Sequence, residues 1–248
     1  MIRIKSEEEI KIMAEGGKLL AGIMKELEKK VKPGITTKEL DRAAEALILK
    51  SGGKPSFKGY QGFPAALCTS INEEIVHVVP SERKLKEGNI ISLDLGMKYE
   101  GFHSDMAVTL PVGKVFPEVQ RLIRVTKKAL KRGIKKAKIG NTFGDIGNTI
   151  QRYVEGQGYN VVRELCGHGI GKELHEDPQI LNYGKRRTGP EIREGMVFCL
   201  EPMITVGHWK LKRTKDGRGF ETEDGSLSCH FEHMIAVTKK GVKVLTAL

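Results

Sequence analysis

Four acidic side chains sit where acids are costly to place. Asp94 lies in Asn89-Ile90-Ile91-Ser92-Leu93-Asp94-Leu95, and Asp105 is followed by Met106-Ala107-Val108. Glu201 follows Phe198-Cys199-Leu200, and Glu232 lies in Phe231-Glu232-His233-Met234-Ile235. An unpaired buried charge costs on the order of several kcal/mol, comparable with the net stability of a domain. A pair of divalent cations roughly 3.5–4 Å apart reverses that sign and is a known device for hydrolysis. A hairpin turning around Tyr99-Glu100-Gly101 would set position 94 roughly opposite position 105. Two facing aspartates repel unless a cation lies between them; otherwise they point to water. That pair alone fits either reading, and Glu201 with Glu232 tips it toward metal.

Three histidines accompany the acids. His168 lies in Cys166-Gly167-His168-Gly169-Ile170-Gly171, whose glycines let the backbone approach closely. It is the better ligand candidate. His175 follows seven residues later. His77, in Ile75-Val76-His77-Val78-Val79, fits a satisfied core residue as well as a functional one. One imidazole among four carboxylates is an oxygen-rich set, favouring Mn²⁺, Fe²⁺ or Co²⁺ over a structural zinc site, with Zn²⁺ still open.

The elements that must hold these groups repeat. Ser6 with Glu9 signals a helix start, and Pro33-Gly34 its end; Thr36 with Glu39 opens a second helix that Ser51-Gly52-Gly53 closes. Strand-like runs follow at Ile71–Val79, Asn89–Met97 and Phe102–Leu110. Pro117 begins a helix reaching about Lys138, and Thr142 with Asp145 opens another ending near Gly156. Strands resume around Val161, Met196–Ile204, Phe231–Thr238 and Val242–Leu245. Lys32-Pro33-Gly34-Ile35-Thr36 precedes Lys138-Ile139-Gly140-Asn141-Thr142 by 106 residues, and Glu87-Gly88…Leu93-Asp94 precedes Glu194-Gly195…Leu200-Glu201 by 107. Two halves of similar build, about 1–112 and 113–248, are expected to form one α+β domain. Its strands should line a shared cleft, with helices behind.

Composition excludes several classes. Hydrophobic residues make up 39% of 248, enough for a sizeable core, with no run near the roughly 20 apolar residues of a membrane span. The N-terminus lacks a signal-peptide pattern, so a cytoplasmic location is expected. Cys68, Cys166, Cys199 and Cys229 form no C-x-x-C pair and read as reduced thiols. Lys plus Arg exceed Asp plus Glu by 42 to 31, a net charge of +11 that suits a polyanionic partner. Basic residues cluster at Lys127, Lys128, Lys131, Arg132, Lys135, Lys136 and Lys138, and at Lys210, Lys212, Arg213 and Lys215. Each cluster also reads as a solvated face, and sparse aromatics argue against a base-stacking surface or specific DNA binding.

The order Asp94, Asp105, His168, Glu201, Glu232 resembles the five-ligand signature of the methionine aminopeptidases of metallopeptidase family M24. The likeness extends to Ser70-Ile71-Asn72-Glu73 before His77, Leu93-Asp94-Leu95-Gly96, Gly167-His168-Gly169-Ile170-Gly171, Glu201-Pro202-Met203 and Ser226-Leu227-Ser228. It runs essentially end to end. Without a zinc-finger extension or a large helical insertion, it is similar to the bacterial-type, type I form. The resemblance implies the pita-bread fold: pseudo-symmetric halves with curved antiparallel sheets around a dinuclear metal cleft. It implies removal of the initiator methionine from nascent chains, preferentially before a small second residue, by a metal-bridged hydroxide that attacks the scissile carbonyl.

The resemblance also implies roles. Asp94 would chelate one metal, His168 with Glu201 would bind the other, and Asp105 with Glu232 would bridge them. Glu201 would shuttle the proton, His175 would stabilise the oxyanion, His77 would hold the scissile amide, and the substrate's free α-amine would bind a metal. Tyr60, Phe63, Cys68 and His77 match positions enclosing the methionine side chain, though the aromatics equally suit core packing. Phe57, Leu174 and Arg218 depart from common family residues, the last standing where tryptophan is frequent; the only tryptophan is Trp209. The basic patches are expected to dock a monomeric enzyme on the ribosome near emerging chains. Two alternatives stand: a proline-specific pita-bread peptidase, and a non-enzymatic binding protein on the same scaffold.

Overall fold

Helix starts follow the caps written in the sequence. In the computed structural model, which describes residues 1–248, Ser6 and Glu9 close a reciprocal cap on α1 (Glu7–Glu28). Thr36 and Glu39 do the same for α2 (Thr37–Lys50). α3 (Pro117–Lys136) opens on Pro117, whose missing N–H has no partner to lose there. Thr142 and Asp145 cap α4 (Phe143–Glu155). Each cap satisfies N–H groups that the helix itself leaves unpaired.

The first half contributes β1 (Lys54–Pro55), β2 (Leu67–Ile71), β3 (Glu74–Val76), β4 (Ile90–Tyr99) and β5 (Phe102–Pro111). The second contributes β6 (Asn160–Val161), β7 (Gly167–Gly169), β8 (Glu176–Ile180), β9 (Val197–Leu200), β10 (Met203–Thr205), β11 (Leu211–Arg213), β12 (Phe220–Thr222), β13 (Ser228–His230), β14 (Glu232–Thr238) and β15 (Gly241–Val244). The half-sheets join along β5 and β14 into one nine-stranded antiparallel sheet of order β1-β4-β5-β14-β9-β7-β8, with β2 on β4 and β15 on β14. Two three-stranded sheets, β13-β10-β6 and β11-β12-β3, flank it.

Alternation along the strands assigns the faces. Leu93 and Leu95 of β4 pack with Leu20, Met24, Leu40 and Ile48 of α1 and α2, so Asp94 between them turns to the opposite side. In the second half Phe198 and Leu200 of β9 and Ile235 of β14 pack with Leu122, Ile146 and Ile150 of α3 and α4. Helices cover one side of the sheet and acids occupy the other.

Several expected strands differ in extent. The run Ile71–Val79 is broken: β2 starts earlier, at Leu67, and the chain turns at Asn72, whose φ is 61°. The run Met196–Ile204 stops at Glu201-Pro202, where proline offers no N–H to a ladder. Phe231 lies between β13 and β14. β1, β7, β8, β11, β12 and β13 arise where no strand was expected, because they are short and carry few apolar residues.

Candidate metal centre

The register of three neighbouring strands builds the centre. Asp94 on β4 pairs with Ala107 on β5, and Ala107 pairs with Glu232 on β14. Cys68 on β2 pairs with Asp94 from the other side. Residues paired in register share a face, so the row Cys68, Asp94, Ala107, Glu232 faces the cleft. Asp105 lies two residues along β5 from Ala107, on that same face. It pairs with Gly96, not with Asp94. Asp94 and Asp105 are therefore diagonal neighbours on one face, close to the rough opposition expected of them. The hairpin turns on two residues, Glu100 (φ 46°) and Gly101 (φ 85°), which sets Tyr99 against Phe102. Ala107, a small residue, stands between Asp94 and Glu232 in this row.

Oxygens of Asp94, Asp105 and Glu232 lie within 4.8 Å of one another, all buried. His168 and Glu201 complete the group: His168 Nε2 is 4.0 Å from Asp105 Oδ2 and 3.7 Å from Glu201 Oε1. His168 sits in β7, antiparallel to both β8 and β9. Its glycine neighbours are needed for that packing. A Cβ on Gly167 would collide with the Cys199 carbonyl oxygen, and one on Gly169 with that of Asp177.

The electrostatics of this cluster do not balance within the protein. Asp94 Oδ1, Asp105 Oδ1 and Glu232 Oε1 are buried without any hydrogen-bond partner. Burial lifts the Asp94 carboxyl to about 7, with a hydrogen bond from Asp105 opposing the rise. Asp105 is raised well above the carboxylate range by burial, then by the charges of Glu232 and Asp94. Burial likewise raises Glu201, with Asp94 and Asp105 adding to it, and Glu232, with Glu201 and Asp94 adding. Loss of solvent, helped by the charge of His175, pushes His168 down to about 3, so its ring is neutral near pH 7. Its Nδ1 lies 2.9 Å from the Gly169 carbonyl oxygen, which can only accept. Nδ1 therefore carries the proton, and the Nε2 lone pair faces two carboxylates. A lone pair and carboxylate oxygens converging on one space form a site suited to cations, which can replace the protons that burial otherwise retains there. The donor set fits divalent ions.

The remaining expected residues line the same cleft, of about 750 Å³. His77 adopts a left-handed φ of 60°, unusual for a non-glycine residue, and loss of solvent pushes its imidazole down to about 4. Tyr60 Oη lies 2.8 Å from His175 Nδ1, and the His175 and His168 rings are 4.4 Å apart. Phe63 and Cys68 line the wall with Phe57 and Leu174. Trp209 lies elsewhere, beside His208 and under the Arg163 guanidinium, while Arg218 and Phe220 form the rim.

Two further residues stand at the centre, one read in sequence only as a reduced thiol and one not singled out. Cys199 forms a second potential ligand group with His168 and Glu232. It stands two residues before Glu201 on the same strand run, a period-two signal that was available. His230 is buried, neither ring nitrogen has a partner, and its Nε2 is 3.9 Å from Glu201 Oε2. Nothing in its local sequence marks it.

Comparison with known proteins agrees with this geometry. The family model of metallopeptidase family M24 matches residues 11–239. A methionine aminopeptidase of Clostridium perfringens is 46% identical over 248 residues, covering 100% of both chains. The crystal structure of a methionine aminopeptidase from Thermotoga maritima superposes with a TM-score of 0.98 at 43% identity, over 100% of both chains. An Xaa-Pro dipeptidase from Bacillus anthracis also matches, with a TM-score of 0.79 and 25% identity, but this chain spans only 62% of it. With buried acids from both halves converging on a space that cations complete, on a pita-bread scaffold matched from end to end, this chain belongs to metallopeptidase family M24, within its methionine aminopeptidases.

Proposed function

We propose that this protein removes the N-terminal methionine from newly made polypeptides, favouring those whose second residue is small. The observation that carries the reading is the neutral His168 Nε2 facing the oxygens of Asp105 and Glu201, with unpartnered oxygens of Asp94, Asp105 and Glu232 alongside. Asp94, Asp105, His168, Glu201 and Glu232 hold two divalent ions, drawn from Mn, Fe, Co or Zn. When bound, such a pair acidifies water to hydroxide near neutral pH and polarises a carbonyl.

The chain's own groups do the rest. Glu201, at the edge of the cluster, accepts the proton of the attacking water and returns it to the leaving amine. Tyr60 Oη lies 2.8 Å from His175 Nδ1; with the hydroxyl as donor, the ring proton sits on Nε2, free to bond the developing oxyanion. His77 at the cleft wall holds the scissile amide. Tyr60, Phe63 and Cys68, with Phe57 and Leu174, enclose the methionine thioether, a flexible apolar group suited to such a wall. The halves 1–112 and 113–248 act as one catalytic domain, a reading supported by the acids that each half supplies to the centre.

Peptide hydrolysis tests this directly. Cleavage of Met-Ala peptides and not of Met-Lys peptides is the expected result, and a strict requirement for X-Pro would overturn it in favour of the proline-specific reading.

We further propose that the protein works as a cytoplasmic monomer docked by its basic surface on ribosomal RNA near emerging chains. No helix is long and apolar enough to cross a membrane. Lys210, Lys212, Arg213 and Lys215 are all exposed around β11, and Arg213 also packs over the Phe220 ring at 4.0 Å at the edge of the cleft. Reversing the three lysine charges should weaken ribosome co-sedimentation and flatten its salt dependence. Unchanged co-sedimentation would contradict the docking.

A further inference from the structure

A buried ion pair underlies His175, and none of the roles assigned above uses it. Lys5 is a buried lysine, and its Nζ donates to Glu176 Oε2 at 2.8 Å, with both side chains only 5% exposed. The Arg3 guanidinium stands 3.7 Å from the other oxygen, Glu176 Oε1, which also accepts from the Glu173 N–H at 3.4 Å. The backbone is tied as well: the Lys5 N–H donates to the Gly195 carbonyl at 2.8 Å, just ahead of the α1 cap at Ser6. At Gly171 an added Cβ would lie 2.6 Å from Glu176 Oε1 and 2.8 Å from Lys5 Cε, so glycine there makes room for the pair. The segment Met1–Lys5 is therefore strapped onto the loop 171–176 that delivers His175.

Energetics decide what such a pair is for. Burying a lysine and a glutamate costs more solvation than their attraction reliably returns, so the pair is a poor source of stability and a good source of unique geometry. Glu176 is the first residue of β8 and directly follows His175. Fixing the Glu176 side chain fixes the backbone from which the imidazole projects. A shift of about 1 Å in such a group costs on the order of 100-fold in rate.

We infer that Lys5 and Glu176 are positioning residues for His175, so that the N-terminal segment is a working part of the active site. This rests on the proposed peptidase reading for its kinetic consequence, and on geometry alone for its structural one. In the metal-loaded full-length enzyme, Lys5→Met and Glu176→Gln should each lower kcat on a Met-Ala peptide by ~10–100-fold while KM stays within about 2-fold. Lys5→Arg should restore most of the rate. The Lys5→Met/Glu176→Gln double variant should be no slower than the slower single variant, since both remove one interaction.

A second readout needs no activity. In histidine-labelled, metal-free protein the His175 imidazole resonances should shift or broaden in Lys5→Met and Glu176→Gln, and not in the exposed control Lys29→Met. If Lys5→Met fails to accumulate, Glu176→Gln carries the same comparison. Unchanged kcat with unchanged His175 resonances overturns the inference, as does a fall in thermal stability with the resonances intact. A wild-type enzyme inactive on Met-Ala peptides would sink the peptidase reading instead, and the resonance comparison would still judge the pair.

Discussion

Single residues carry the chemistry here through what they lack. Asp94, Asp105 and Glu232 each bury an oxygen with no partner, and His168 turns a lone pair toward acids. Glu201→Gln keeps the shape and removes the base. It should fold like the parent while losing ~10²–10⁴-fold in kcat, measured on a Met-Ala peptide. Asp105→Ala should act differently, weakening metal uptake in a calorimetric titration by ~10-fold or more because a ligand is gone. All five residues were legible in sequence, since each acid interrupts an apolar run and His168 sits among glycines. His230 was not. It stands beyond the strand break at Phe231, and only the fold brings it within 3.9 Å of Glu201 Oε2. The pocket wall was legible in part. Phe57 and Leu174, whose types depart from those common in the family, do line the cleft, as does Arg218, while Trp209 packs under Arg163.

At the scale of elements, register does what residue type cannot. Asp94 and Glu232 flank Ala107 across three strands whose backbones are spaced about 4.8 Å apart, so the acids are separated by an interval that a small side chain keeps open. Ala107→Val retains strand propensity and fills that interval. It should leave circular dichroism unchanged and reduce metal uptake by ~10-fold or more. Uptake equal to the parent would contradict the role given to the gap. Sequence periodicity placed β4 and β5 and their hairpin well. The exact register needed the fold: a two-residue turn at Glu100 and Gly101 pairs Asp94 with Ala107 and leaves Asp105 diagonal to it. It missed β7 and β8, which pair through glycine-rich and polar residues with no alternation to read. Helix starts were the most legible elements, because Ser6, Thr36 and Thr142 act locally on N–H groups a few residues away.

The whole molecule holds a concentration of negative charge inside a positively charged chain. Without metal, that centre weakens the fold in a pH-dependent way. Burial raises Asp94 from 3.8 to about 7, and raises Asp105, Glu201 and Glu232 well above their ordinary range. Where the unfolded chain is ionised and the folded chain still holds its protons, stability falls as pH rises. His168 and His230, lowered to about 3 by burial, work in the opposite sense, but only below about 6.5. From about 6.5 upward the carboxylates decide, so the metal-free protein should lose stability through pH 7 and beyond, read as a falling unfolding midpoint. Saturating metal should remove that slope and, at ~100 times its dissociation constant, add about 2.7 kcal/mol. The pseudo-repeat, with matches offset by 106 and 107 residues, made the paired halves legible. Their fusion into one sheet was not, because β5 meets β14 across more than a hundred residues of chain. The most direct test is a calorimetric titration of chelator-treated protein with Mn²⁺ at pH 7, repeated in buffers of different ionisation enthalpy. The account predicts uptake approaching two ions per chain with release of protons from the carboxylates, both curtailed when Asp94 or Glu232 becomes alanine. Absence of uptake, or uptake indifferent to those substitutions, would contradict it.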